Sequence, residues 1–257
     1  MRERISAMVL VVPARDEEAL LGGCLRHLQA AMDHLGLERP EILLRLTVVL
    51  DGCRDGSAAV AAAFTDKDPR IEVLAVDFAS VGAARAAGIA HAMAGARGAG
   101  GRHLPEGTWI ACTDADTRVP PHWLTGQLEL ADRGADAVVG TVEPDKEELD
   151  AALHRLWQLA HVPSEGHGHV HGANLGVRAS TYGSVGGFDP VPEHEDVLLV
   201  QKLRDAGASI RATARIHAVT SGRRRGRVPA GFAGYLRGLA PDIPADTANS
   251  TRGRKPT

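Results

Sequence analysis

The chain has 257 residues, 44% of them hydrophobic and 24% charged, with a formal net charge of −3, which is the composition of a globular protein with length for one large or two small domains. That charge gives no overall pull toward nucleic acid or an anionic membrane, and the longest apolar runs fall far short of a membrane span of ~20 residues. Met1-Arg2-Glu3-Arg4 lacks the apolar stretch of a secretory signal, and Cys24, Cys53 and Cys112 show no metal-type spacing and read as reduced thiols, so the expectation is a soluble, cytoplasmic chain of enzyme size without a transmembrane segment.

Met8 to Val12 is a continuous apolar run, the pattern of a strand covered on both faces. Pro13-Ala14-Arg15-Asp16 breaks it. Leu20, Leu21, Cys24, Leu25, Leu28, Met32 and Leu35 then recur at helical spacing, with Glu17 and Glu18 in the favourable first turn. Leu43 to Leu50 reads as the second strand. Asp51 to Ser57 is a turn, with Asp55 or Ser57 placed to cap an Ala-rich helix ending near Phe64. Ile71 to Val76 predicts a third strand and Val81 to Ala94 a helix of small residues. Alternating strands and helices of this kind build a parallel α/β sheet.

The Gly- and Arg-rich stretch from Gly95 to Gly107 is expected to be a loop, and Trp109-Ile110-Ala111-Cys112 a buried strand. Helices are predicted from Pro120 to about Asp132, from Lys146 to His161 and from Val197 to Ala206. Ala137 to Val142 and Ile210 to Val219 are predicted to be extended. Pro163 to Gly172, rich in Gly and His, reads as a mobile loop. Residues 241–257 are polar and Pro-rich, the composition of a disordered tail.

Thr113-Asp114-Ala115-Asp116 follows the Trp109 strand. Residues i and i+2 of an extended chain point to one side, so both carboxylates are expected to leave the strand together. Such a pair suits a hard divalent cation, which takes oxygen ligands and substrate phosphates. Ligands of open parallel sheets lie beyond the carboxyl ends of the strands. Pro13 to Glu17, Asp51 and the Asp114–Asp116 pair all fall there.

Six segments in order resemble family 2 glycosyltransferases of GT-A type, over about residues 7 to 235. They are Val12-Pro13-Ala14-Arg15-Asp16-Glu17-Glu18, Val49 to Ser57, Gly82 to Ile89, Asp114-Ala115-Asp116, Gly172 to Arg178, and Val185 to Asp189 followed by Glu193-His194-Glu195-Asp196. The resemblance implies an α/β GT-A fold with a mostly parallel central sheet flanked by helices. It implies one domain over residues 1–240, with a nucleotide-binding half (7–118) and an acceptor and catalytic half (119–240). The implied activity is metal-dependent transfer of a sugar from a nucleoside-diphosphate sugar, by family habit a UDP-sugar, to an acceptor hydroxyl the sequence does not name.

Carried onto this chain, the resemblance gives Pro13, Ala14, Arg15, Glu17 and Asp51 to the base and ribose, and Arg85 to the base or phosphates. Asp114 and Ala115 go to the ribose or donor sugar, Asn174 and Gly187 to the donor and acceptor side. Asp116 would hold Mn2+ or Mg2+, and Asp196, with Glu195 beside it, would be the base of an inverting transfer. His217, late in a strand, would complete the metal site; the alternative is a strand histidine bonded to a backbone carbonyl. Arg223 and Arg225, within Arg223-Arg224-Arg225-Gly226-Arg227, would grip the diphosphate; the alternative is a solvated loop.

The chain departs from the family at Leu50-Asp51, where two adjacent Asp are common, and at Ala86, where Asn is frequent. It lacks the Gln-x-x-Arg-Trp acceptor motif, which argues against a processive synthase. His167, His169 and His171 alternate, so a zinc site is conceivable, although the flanking glycines favour a loop. A sugar-phosphate nucleotidyltransferase would want a Gly-rich loop after the first strand. A retaining transferase of similar fold is compatible with the same motifs. A non-catalytic nucleotide-sugar-binding module would share the fold, but intact Asp116, Glu195 and Asp196 argue against it. A Rossmann dehydrogenase fails, because Gly82 to Gly88 lacks G-x-G-x-x-G spacing. Nucleic acid is not expected as a partner, since no aromatic platform accompanies the basic cluster; a homodimer is compatible with the sequence.

Overall fold

The computed structural model describes residues 3–95 and 107–223, together with Gly234, Leu236 and Gly238. Most of the expected Gly/Arg-rich loop, Arg225 and the tail 241–257 lie outside the described residues. In chain order the strands are β1 (Ala7–Ala14), β2 (Leu43–Asp51), β3 (Ile71–Val76), β4 (Thr108–Cys112), β5 (Thr117–Arg118), β6 (Ala137–Pro144), β7 (Leu175–Arg178) and β8 (Ile210–Thr220). The helices are α1 (Glu18–Glu38), α2 (Ser57–Thr65), α3 (Val81–Gly95), α4 (Trp123–Asp132), α5 (Ala151–Ala160), α6 (Ala179–Ser184) and α7 (Glu195–Asp205).

One eight-stranded sheet runs in the order β3-β2-β1-β4-β7-β6-β8-β5. Strands β1 to β4 are parallel, and β6 pairs parallel with β8. β7 is inserted antiparallel between β4 and β6, and β5 closes the far edge antiparallel to β8. Alternate residues of β1 serve two cores. Met8, Leu10 and Val12 pack with α1 and α4, while Ala7, Val9 and Val11 pack with α3 and α7, as the two-residue period of a strand requires. The small residues of α3 let it lie close to the sheet: a Cβ on Gly88 would come within 2.6 Å of Val11 and Val49 side chains. Among the described residues no helix is long and apolar enough to cross a membrane.

Several boundaries differ from expectation for local reasons. α5 starts at Ala151, not Lys146, because Asp150 caps it by accepting from the N–H groups of Ala152 (3.0 Å) and Leu153 (2.9 Å). α4 starts at Trp123, since Pro120 to His122 form a turn closed by Trp123 N–H donating to the Pro120 carbonyl at 3.0 Å. Ser57 does not cap α2; its buried hydroxyl accepts from Glu17 N–H at 2.8 Å. Apolar periodicity does not predict the short strands β5 and β7 or helix α6. In β7, Gly176 is required by its neighbours, since a Cβ there would lie 2.6 Å from the indole nitrogen of Trp109.

Candidate active site

The register of the parallel strands brings the ends of β1, β2, β4, β6 and β8 to one edge, where β7 begins. The chain turns at Asp114, with Thr117 N–H donating to its carbonyl at 3.1 Å. The two carboxylates therefore do not leave as a same-face strand pair. Asp114 is ion-paired to the Arg85 guanidinium of α3, and Asp116 turns toward β8. Thr220 donates its hydroxyl to Asp116 at 3.2 Å, and Arg223 lies 2.9 Å from its other oxygen.

Arg223 is also the partner of Glu17, donating to both carboxylate oxygens at 2.8 and 2.7 Å. One guanidinium thus joins the end of β1 to the end of β4. The exit of β8 that aims it is fixed by Glu148, which accepts from the Ser221 hydroxyl (2.6 Å) and Gly222 N–H (2.8 Å). Beside Asp116, on the α1 side, a pocket of about 210 Å³ opens between Arg26, Arg118, Asp145 and Glu148. Sequence reasoning misses both Glu148 and this pocket. In sequence Glu148 belongs to one turn of a helix face, and its partners lie more than seventy residues away.

Arg85 is 1% exposed and joins the two sides of the cleft: beyond Asp114, its Nε donates to Glu195 at 3.1 Å. Phe188 lies under its guanidinium, 5.8 Å from ring centre to Cζ. Glu195 opens α7, and next to it Asp196 accepts from Gly172 N–H (2.6 Å) and from Val197 N–H (2.8 Å). A Cβ at Gly172 would meet the Arg85 guanidinium at 2.8 Å, so glycine lets the turn that precedes β7 close on both groups.

The electrostatics follow from burial. Asp116, its side chain 14% exposed, has its pKa pushed up to about 6, first by desolvation and then by the Asp114 charge, with Arg223 working against both. Asp114 is 38% exposed through the cleft mouth, yet surrounding protein still raises its pKa, and Arg85 opposes that rise. Desolvation likewise raises Glu195. Carboxylates that share a site and resist ionisation gain from added positive charge. With all-oxygen donors in Asp114, Asp116 and Glu17, the residues present fit a hard divalent ion.

Other expected site residues are placed differently. His217 is not brought to Asp116. It lies on the face of β8 opposite Thr220, with Nδ1 bonded to Thr141 (2.8 Å) and Nε2 paired with Glu143 (3.1 Å). Asn174 is fully buried and spends its amide inward, accepting from Trp123 Nε1 at 2.8 Å and donating to the carbonyls of Thr141 (2.9 Å) and Ile216 (2.6 Å). Asp51, 3% exposed, accepts from the N–H groups of Phe78, Ala79 and Ser80 at 2.6 to 3.1 Å. Its carboxylate builds the entry to α3. Arg85, too buried to reach a base, is held by carboxylates. Ala115 packs in the core. Gly187, at φ 69°, sits against the Tyr182 ring. Pro13, Ala14 and half-exposed Arg15 do stand at the end of β1, with Arg15 4.0 Å from Asp51.

The model of glycosyl transferase family 2 matches residues 9–182, so Glu195, Asp196 and Arg223 join the site by geometry alone. Comparison with curated protein sequences finds no match. Among solved structures, the mannosyltransferase PcManGT of Pyrobaculum calidifontis, in complex with GDP-Man and Mn2+, is 19% identical with a TM-score of 0.60, covering 87% of this chain and 59% of that one. TarS 1-349 of S. aureus with UDP-GlcNAc is 14% identical (TM-score 0.58; 83% and 58% covered). The glucosyl-3-phosphoglycerate synthase of Mycobacterium tuberculosis, with Mn2+, uridine-diphosphate and glucosyl-3-phosphoglycerate, is 16% identical (TM-score 0.52; 91% and 77% covered). At these identities the likeness is one of fold, that of GT-A glycosyltransferases, and the chain spans about three fifths of the length of PcManGT and TarS.

Proposed function

The chain belongs to glycosyl transferase family 2, and on that premise we propose that it moves a sugar from a nucleoside-diphosphate sugar to an acceptor hydroxyl, with inversion and with a divalent cation. The observation that carries this reading is the joining of Glu17, Asp114, Asp116 and Glu195 at one sheet edge by two arginines, Arg85 and Arg223. Such a cleft has acidic and guanidinium groups where a metal and a diphosphate meet.

Asp116, with Asp114 and Glu17 beside it, would hold Mn2+ or Mg2+. A bound metal of this kind neutralises charge on a departing diphosphate. Arg223, next to them, supplies a fork of N–H donors for phosphate oxygens. Asp196 would take the proton of the acceptor hydroxyl. Its two N–H bonds, from Gly172 and Val197, fix the carboxylate in orientation, and a carboxylate has further lone pairs for that proton. Arg85 and Glu195 would position rather than react: they tie the first turn of α7 to the Asp114 turn. We propose the division of labour at about residue 118, with donor groups before it and the base after it; Arg223 is the exception that returns to the donor side.

The test is calorimetric titration with UDP and GDP, each with and without Mn2+, on wild type and Asp116→Ala, with a UDP-sugar as the first donor assayed. Metal-dependent binding of one nucleotide, lost in the variant, is the expected result and selects the donor class. No binding of either would overturn the assignment of the cleft.

A further inference from the structure

Asp51 ends β2 with its carboxylate spent on the turn between β3 and α3, where it accepts from three consecutive N–H groups. The side chains around that turn are not spent. Phe78, whose N–H lies 2.6 Å from Asp51, leaves half of its surface in solvent. It is the one exposed Phe, Tyr or Trp among the described residues. Asp77 lays its carboxylate against Gly52, where a Cβ would lie 2.7 Å from Oδ1. Among the described residues that carboxylate has no hydrogen bond or ion pair. Arg15, from the end of β1, reaches the same corner, with only a 4.0 Å approach to Asp51. One aromatic face, one acceptor and one fork of donors thus surround the end of β2.

The turn holds these groups in a fixed place. Ala79 adopts φ 53°, a left-handed conformation that few residues other than glycine take, and the three bonds to Asp51 keep it there. Ser80 donates its hydroxyl to the Val191 carbonyl at 2.9 Å, which ties the turn to the far half of the chain. Position in the sheet matters as much. Neighbouring strands lie about 4.8 Å apart, so in the order β3-β2-β1-β4 the ends of β2 and β3 stand about 10 and 14 Å from the end of β4. The diphosphate belongs near β4, where Arg223 meets Asp116. A ribose laid across the end of β1 then carries a base to Phe78, Asp77 and Arg15.

We propose that Phe78, Asp77 and Arg15 seat the base of the nucleoside diphosphate, a proposal that rests on the cleft being the donor site. Phe78 is the stacking platform, since every base offers a π-face to an aromatic ring. Asp77 accepts from a base N–H, and Arg15 donates to the ring carbonyl beside it. Uracil and guanine both present that N–H and carbonyl side by side. The reading of the base thereby falls to the exposed neighbours of Asp51, while Asp51 itself builds the turn that displays them.

The test is calorimetry in the presence of Mn2+ with inorganic pyrophosphate, UDP and GDP, on wild type, Phe78→Ala, Phe78→Tyr and Asp77→Ala, with urea midpoints to show that each is folded. Wild type is expected to bind UDP or GDP more tightly than pyrophosphate. Phe78→Ala should weaken that nucleotide roughly 5- to 150-fold, the range for removal of a base-stacking aromatic, and Phe78→Tyr should keep it. Asp77→Ala should weaken it about tenfold, as loss of a hydrogen bond to a charged group does. Pyrophosphate affinity should be the same in all four proteins. Nucleotide affinity unchanged in folded Phe78→Ala would overturn the seat while leaving the cleft as donor site. An equal fall in pyrophosphate affinity would also overturn it, because a structural role moves both ligands together. Failure of wild type to bind any of the three would overturn the donor-site reading itself, and the seat with it.

Discussion

Asp196 and Asn174 make opposite cases for what one polar side chain does. Asp196 is held by two N–H groups at the cleft, and Asp196→Asn is expected to lower turnover by about 10²–10⁴-fold, the usual share of a positioned base, with donor affinity nearly unchanged. Steady-state rates beside nucleotide titration check this; loss of nucleotide binding would remove Asp196 from the base role. Asn174 has spent its amide on Trp123, Thr141 and Ile216. Asn174→Ala leaves buried groups without partners, at about 1–3 kcal/mol each. It should lower the urea midpoint, and donor affinity measured under folding conditions should hold. A folded variant of full stability that fails to bind donor would return Asn174 to the site.

At the scale of elements, buried charges stitch pieces that periodicity alone would leave apart. Arg85 ties α3 to the Asp114 turn and to α7. Removing one partner of such a buried pair typically costs about 3–5 kcal/mol, so Arg85→Met is expected to lose stability of that order, read from chemical denaturation. Lysine would not rescue it, because it lacks the fork that reaches two carboxylates. Asp68 plays a similar part between α1, α2 and β3. Arg70 bonds it at 2.9 and 2.7 Å, Gln29 of α1 reaches it at 3.2 Å, and Arg70 continues to Asp33 of α1. The Arg70 bonds pull the Asp68 pKa down to about 2. The unfolded carboxyl, near 4, takes up its proton first as pH falls. The resulting stability, about 2 kcal/mol, is therefore full above about pH 5 and gone near pH 2. Asp68→Asn should cost about that much at pH 7 and almost nothing at pH 2, by urea midpoints at both. The long elements are legible in sequence: β1 to β3 and the helices between them show unbroken or 3.6-residue apolar patterns. β5 and β7 are not, being short strands whose pairing is decided by neighbours such as Trp109 and Gln127.

For the whole molecule, the order of the strand-end motifs is enough to name the fold, and the acidic residues of the cleft come into view with it. Their partners do not. Nothing local to Arg223 says that it closes on Glu17, 206 residues earlier, and nothing in Val-Thr-Ser says that Glu148 steers it. The sequence does not show where the His217 ring points, because the pairing of β8 with β6 is irregular between Thr213 and Ala218 and face parity cannot be counted across such a break. A ligand that binds only the folded state stabilises it by about 2.7 kcal/mol at a hundred times its Kd. Mn2+ with the correct nucleoside diphosphate should then raise the melting temperature by several degrees, since 1 kcal/mol moves a chain of this size about 2–4 °C. Excess EDTA should return it; a melting curve indifferent to both would count against the cleft.

The grip of Arg223 on Glu17 and Asp116 makes the site its own counter-ion. A divalent cation arriving alone meets carboxylates already satisfied by a guanidinium, and must evict it for little gain. A diphosphate arriving alone meets an arginine already engaged and two acids that repel it. Arriving together, each supplies what the other's arrival sets loose. Metal and nucleotide affinities are then expected to be strongly interdependent, each raising the other by the same factor, so that metal alone should leave Arg223 on its two carboxylates until a diphosphate accompanies it.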